Sequence, residues 1–300
     1  MEAASPSPRR RNRTIRLLPS VVTILALCSG LSSVKFALDG DLGIALAMIG
    51  AAAVFDMLDG RLARMLDATT KIGAELDSLS DAISFGVAPA LVLYVALLDE
   101  NSVGWIMALL FAVSIVLRLA RFNTLLDDDT RPDWAREFFV GVPAPAAALI
   151  ALVPIALLVQ FGDGWWVGFY EVAAWTVLAA ALAVSTIPTL AMKSVSVAPQ
   201  AAAGLLVLVA LAAALLVTYP LILLLVLVAA YLAHIPFAWH SQRWVAARPE
   251  TWQHKPSERR AQRRAQRRIP VIRPAIRGSS ARLRLRRPGA EQDTTDSREG

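Results

Sequence analysis

The sequence predicts an all-α protein, a polytopic membrane helix bundle of about eight transmembrane helices, and three observations carry that reading. Hydrophobic residues make up 56% of the chain and mean hydropathy is +0.52, well above what a soluble domain shows. Apolar stretches of about 20 residues, the length that crosses a bilayer core, recur along the chain. Lys and Arg are absent from alternate connections between those stretches, which is the charge asymmetry of a polytopic membrane protein.

The spans fall at 17–37, 42–60, 72–97, 104–122, 139–160, 166–187, 201–217 and 220–240. The first lacks a small-residue cleavage site and is followed by further spans, so it is read as retained and not as a signal peptide. The second and third carry acids at their ends, the fourth closes on Arg118-Leu119-Ala120-Arg121-Phe122-Asn123, and the fifth opens on Val140-Gly141-Val142-Pro143-Ala144-Pro145-Ala146. No soluble domain of any size is left over. The expected organisation is a basic N-terminal tail at 1–16, a transmembrane domain at 17–241 and an Arg-rich, disordered tail at 242–300.

Connections 38–42, 98–103, 161–165 and 218–219 hold no Lys or Arg, whereas the others hold Arg61, Arg64, Lys71, Arg118, Arg121, Arg131, Arg136 and Lys193. The positive-inside rule then places both termini and the latter connections in the cytoplasm, in a cell (plasma) membrane. Lys35, near the outer end of the first span, is expected to snorkel to the headgroups. The net charge of +6 belongs to the tails: residues 241–300 carry 16 Lys and Arg against 6 acids. Runs at 259–268 and 282–287 suit anionic lipid headgroups. An Arg-rich segment also suits a nucleic acid, but this tail has few aromatics and follows a membrane domain, so no nucleic-acid partner is expected.

The chemistry concentrates between Asp56 and Asp81. Asp56 and Asp59 are i, i+3 and Asp77 and Asp81 are i, i+4, so on helices each pair shares a face, with Cβ atoms about 5–6 Å apart. Ionisable groups in a membrane span are costly unless paired, and their default reading is functional. Two facing pairs would gather four acids in one small volume, which one or two oxygen-seeking divalent cations, Mg2+ or Mn2+, would neutralise. Gly60 and Ala63 remove bulk beside the acids, Arg64 offers a planar fork for phosphate oxygens, and Thr70 and Gly73 sit where a hydroxyl and free N–H groups could hold an anion. Gly60 and Ala63 also suit close helix packing, and Arg64 also suits a positive-inside anchor. These parts describe a metal-dependent site for a diphosphate.

The string D-x2-D-G-x2-A-R-x8-G-x3-D-x3-D, filled at every fixed position from Asp56 to Asp81, resembles the signature of the CDP-alcohol phosphotransferase family. The resemblance implies an integral membrane enzyme with a six-helix core, here with extra spans, that displaces CMP from a CDP-linked lipid with an alcohol, using two metal ions. By position it implies that Asp56, Asp59 and Asp77 are metal ligands and that Asp81 both touches metal and takes the proton of the attacking hydroxyl. It places Gly60, Arg64, Thr70 and Gly73 on CDP-diacylglycerol, and it implies a homodimer.

Asp77 through Ala90, Leu18-Pro19-Ser20 through Thr23, and the stretches at 118–123 and 140–146 resemble the branch of the family whose acceptor is L-serine. Ala82 stands where branches using a phosphorylated polyol show Lys or Arg, while Ser20 and Ala144 depart from the expected Asn and Ser. A serine carboxylate would need a cation, and Arg118, Arg121 and Lys193 are the candidates, with Asn123 as a polar partner. Glycerol 3-phosphate or inositol phosphate as acceptor is the alternative, and a transporter with an acidic ion path is a remote one. Cys28, the single cysteine, is read as a small core residue, and His234, His240 and His254 as interfacial.

Overall fold

The computed structural model describes residues 17–68, 70–126, 138–190 and 202–246, and over these the protein is a helical bundle. Helices α1 (Leu18–Leu38), α2 (Leu42–Met65), α5 (Ser102–Leu126) and α10 (Pro220–Ala246) are long and apolar enough to cross a membrane. So is the continuous helix Lys71–Leu98, made of α3 (Lys71–Asp81), a π-helical stretch, α4 (Ala88–Leu93) and a second π-helical stretch. Helices α6 (Ala144–Ala151) and α7 (Val153–Phe161) make a sixth candidate span bent by 44°, where Pro154 sits in the first turn of α7 and cannot continue the α6 hydrogen-bond ladder. Helices α8 (Phe169–Val184) and α9 (Ala202–Thr218) are apolar but shorter; at 1.5 Å per residue they fall a few ångströms short of a hydrocarbon core of about 30 Å. All eight apolar segments are therefore helical, and five or six of them qualify as spans by length.

Other sequence expectations shift for local reasons. The fifth span begins at Ala144 and not at 139, because Gly141 has φ +80° and Pro143 cannot donate to a preceding turn. Residues Phe138–Val140 (β1) instead pair antiparallel with Pro188–Leu190 (β2), Phe139 opposite Thr189. Helix α10 runs to Ala246, beyond the expected end at 240, so the exposed His234 and His240 lie on it. Cys28 is exposed and not a core residue: at helical spacing it falls on the outward stripe of Val21, Ile24, Leu25 and Leu31. Lys35 pairs with Asp39 one turn on and lies over the Phe36 ring. The tails 1–16 and 247–300, Lys193 and His254 lie outside the described residues.

Two capped turns set the acidic helices side by side. Helix α1 ends on Gly40 at φ +87°, with Asp41 N–H donating to Phe36 O and Gly40 N–H to Ala37 O; this closure spends the last carbonyls of α1 and returns the chain as α2. Helix α2 ends the same way on Asp67 at φ +46°, with Ala68 N–H donating to Ala63 O at 3.0 Å. Thr70 then caps α3, its hydroxyl accepting from Gly73 N–H at 3.0 Å. Five residues thus separate two helices that must face each other.

Helix α1 packs closely on α2 and on the α3–α4 helix. Ser80 and Ser84 hydrogen-bond the carbonyls of Thr23 and Ala26. Gly30 permits the closest approach: a Cβ there would lie 2.7 Å from the Ser84 Cα. The π-helical stretch Ala82–Val87 begins directly after Asp81. Pro89 follows, whose missing N–H breaks the α ladder at that point. The core, with Ile49, Phe85, Leu93, Phe111, Ile115 and Ile155 fully buried, fills the space between α2, α4, α5, α6 and α7.

Candidate active site

Helices α2 and α3 bring one carboxylate oxygen each of Asp56, Asp59 and Asp77 within 4.8 Å of one another. At that separation each pair of full charges repels by about 3.5 kcal/mol at an effective dielectric constant of about 20. Asp81, one turn beyond Asp77, interacts electrostatically with Asp56 and Asp77. Asp59 is 4% exposed, and its Oδ2 is buried without a hydrogen-bond partner among the described residues. Thr23 of α1 and the Gly60 backbone lie against the Asp59 carboxylate, while the Thr23 hydroxyl donates to the Pro19 carbonyl of its own helix at 3.0 Å. A buried oxygen with no donor is costly. An all-oxygen set of acids around it fits a hard divalent cation, so this cluster is a candidate metal centre.

The diphosphate candidates lie at the rim. Gly60 is exposed, and a Cβ built on it meets nothing within 4 Å among the described residues, so no described helix packs against it. Arg64 is exposed one turn later with no ion pair among the described residues. Thr70 and Gly73 are placed differently from the sequence expectation: Gly73 is inside the first turn of α3, and its N–H is taken by the Thr70 hydroxyl. That pair caps the helix and offers no free Gly73 N–H to an anion. A Cβ at Gly73 would sit 3.0 Å from the Thr70 hydroxyl, so the glycine leaves room for its own cap.

The acceptor candidates divide. Arg118 is 7% exposed, donates from Nε to the Val142 carbonyl at 2.7 Å, and lies 5.7 Å from the Phe122 ring centre. It interacts electrostatically with Asp81 and Asp56, yet makes no ion pair within 4 Å among the described residues. Arg121 donates through Nη2 to the Ser185 carbonyl at 2.8 Å, and Asn123 donates to the Ser78 hydroxyl at 3.1 Å. Those two residues tie α5 to the segment preceding β2 and to α3, whereas Arg118 lies within electrostatic range of Asp81 and Asp56. Sequence reasoning missed the left-handed Asp67 and the part played by Thr23 at Asp59. Asp67 carried a usable signal, since Asp tolerates positive φ at a helix end; Thr23 carried none, because it is 36 residues from the group it lies against.

A model of the CDP-alcohol phosphatidyltransferase family matches residues 16–187, which contain every one of these groups. A CDP-diacylglycerol–serine O-phosphatidyltransferase of Mycobacterium tuberculosis is 51% identical over 280 residues, covering 93% of this chain and 96% of the relative. The enzyme of the same name from Mycobacterium leprae is 49% identical over 246 residues, 82% of each chain. An archaetidylserine synthase of Methanothermobacter thermautotrophicus is 37% identical over 137 residues, 44% of this chain and 54% of its own. With an acidic cluster spaced as the family signature requires, on a multi-pass helical membrane protein, the chain belongs to the CDP-alcohol phosphatidyltransferase family.

Proposed function

We propose that the protein transfers a phosphatidyl group from CDP-diacylglycerol to the hydroxyl of L-serine, giving phosphatidylserine and CMP. The observation that carries this reading is the cluster of Asp56, Asp59 and Asp77, one carboxylate oxygen of each within 4.8 Å of the others, with Asp81 in electrostatic range and Asp59 Oδ2 buried without a hydrogen-bond partner among the described residues. The names and coverage of the mycobacterial relatives support serine as the acceptor, and so does a buried Arg118 with no carboxylate within ion-pair distance among the described residues.

In this reading Asp56, Asp59, Asp77 and Asp81 would hold two divalent cations, Mg2+ or Mn2+, which supply charge neutralisation at the diphosphate when bound. Gly60 leaves the α2 backbone open to CDP-diacylglycerol, and the exposed Arg64 gives a phosphate oxygen pair a planar fork. Asp81 takes the proton of the serine hydroxyl as that oxygen bonds to the diacylglycerol-linked phosphorus. The bond from this phosphorus to the CMP oxygen breaks, and CMP leaves with the electron pair. Arg118 draws the serine carboxylate to the side of Asp81, where the hydroxyl must arrive. In this reading this end of the bundle, with both termini, faces the cytoplasm from the plasma membrane, a sidedness that the positive-inside pattern supports. The basic tails would bind anionic headgroups, and the family resemblance supports a homodimer.

The test is CMP release by purified protein in detergent with CDP-diacylglycerol and Mn2+ or Mg2+, comparing L-serine, glycerol 3-phosphate, inositol phosphate and no acceptor. Release that depends on serine supports the assignment. Release only with a phosphorylated polyol keeps the metal site and overturns the acceptor, and cation transport without CMP release overturns both.

A further inference from the structure

Arg118 is buried, and among the described residues its guanidinium makes one hydrogen bond, from Nε to the Val142 carbonyl at 2.7 Å, and no ion pair within 4 Å. A guanidinium has several further N–H donors on its Nη edge, and burying them is costly unless something arrives to accept from them. The Val142 carbonyl is presented by a turn that is fastened on both sides. Gly141 stands at φ +80°, in the left-handed region that favours glycine. Its N–H donates to Ile187 O at 3.0 Å, and the Val142 N–H donates to Leu182 O at 3.4 Å, so both amides are committed to the end of α8 and the segment beyond it. A Cβ at Gly141 would lie 2.8 Å from the Ala183 and Ser185 carbonyl oxygens and 3.3 Å from Arg121 Nη2. Arg121, one turn after Arg118 on α5, holds the same segment by donating to Ser185 O at 2.8 Å.

We infer that Gly141 is a positioning residue of the acceptor site: its left-handed backbone sets the Val142 carbonyl on Arg118 Nε, which fixes the guanidinium plane and keeps the Nη edge for the carboxylate of the acceptor alcohol. The inference rests on the serine reading above and deepens it, because it explains how a long side chain offers one fixed edge to that carboxylate. A free arginine loses rotamer entropy when it binds, whereas here the carbonyl has already ordered the fork before substrate arrives. Shifting the turn leaves the charge of Arg118 in place and removes its aim. The effect therefore falls on serine affinity and runs through Arg118. A turn that served only the fold would act on both substrates, and its effect would add to that of an Arg118 substitution.

The experiment measures CMP release by the full-length protein in detergent with CDP-diacylglycerol, Mn2+ and a range of L-serine, for the parent, Gly141→Ala, Arg118→Lys and the double variant. Misaiming one charge-assisted hydrogen bond raises KM for L-serine about tenfold in Gly141→Ala, while KM for CDP-diacylglycerol and kcat at saturating serine stay within about twofold of the parent. Lysine has no planar fork for the carbonyl to hold, so in the Arg118→Lys background the same substitution adds less than about twofold. Arg121→Gln loosens the same segment without adding a Cβ and shows the same pattern at smaller size; where Gly141→Ala does not fold, this variant decides. An unchanged serine KM overturns the inference, and so does a rise that multiplies with that of Arg118→Lys. An equal rise in both KM values with a lowered thermal midpoint marks a purely structural turn and also overturns it. A parent protein active with a polyol phosphate but not with serine defeats the serine reading itself, whereas any of the overturning results in a serine-active parent defeats this inference alone.

Discussion

Asp59→Asn separates the two roles of the acidic cluster, because it changes charge and keeps shape. The Asp59 carboxylate lies within 4.8 Å of oxygens of both Asp56 and Asp77. Removing its charge deletes two repulsions of about 3.5 kcal/mol each at full ionisation and an effective dielectric constant of about 20. The amide nitrogen that replaces Oδ2 would also donate to Asp56 or Asp77, where the carboxylate oxygen has no partner among the described residues. In EDTA the variant therefore unfolds several degrees above the parent. With metal present the sign reverses: loss of a buried anionic ligand weakens Mn2+ binding at least a hundredfold, about 2.7 kcal/mol. Mn2+ titration followed by electron paramagnetic resonance and thermal unfolding in detergent measure the two effects on one preparation. A variant that binds Mn2+ within threefold of the parent, or that melts lower in EDTA, would refute the assignment of Asp59 Oδ2 to a cation.

Asp81→Asn is expected to abolish turnover while CDP-diacylglycerol binding, read by equilibrium binding of the lipid in detergent, is largely kept; retained full activity would remove Asp81 as the base. Gly30→Ala forces a Cβ to within 2.7 Å of the Ser84 backbone, so α1 must move from the helix that bears Asp81, at a cost of about 1–3 kcal/mol in thermal or denaturant unfolding. Thr70→Ala removes the cap of α3 and should cost about 1 kcal/mol. Thr70→Ser restores most of that loss, and equal stability of all three proteins would show that the cap contributes nothing.

The acidic motif was legible because its meaning is local. Spacings of three and four residues define a helix face whatever surrounds it, and the helices that carry them are apolar enough to be read from composition. The eight apolar segments were legible for the same reason. Their lengths as helices were less so, because composition does not register where a ladder breaks. Gly141 and Pro143 delay the fifth helix, Pro154 bends it, and α8 stops after 16 residues. Cys28 was misplaced because an apolar membrane helix has no polar face to say which side is buried; in lipid both sides accept it.

The sequence by itself determined the membrane bundle, the four carboxylates and their pairing into two faces, since these follow from hydropathy and helical period. Only the tertiary structure decided how the pairs meet and what else joins them. The left-handed Asp67 and the Thr70 cap turn α3 back beside α2, Thr23 reaches Asp59 from α1, and α10 returns against α6, α7 and β2. The same contacts sort the arginines, leaving Arg118 near Asp81 and fastening Arg121 to a backbone carbonyl. Period and hydropathy are properties of neighbours along the chain, whereas a site closes through contacts between distant segments whose geometry is set by packing.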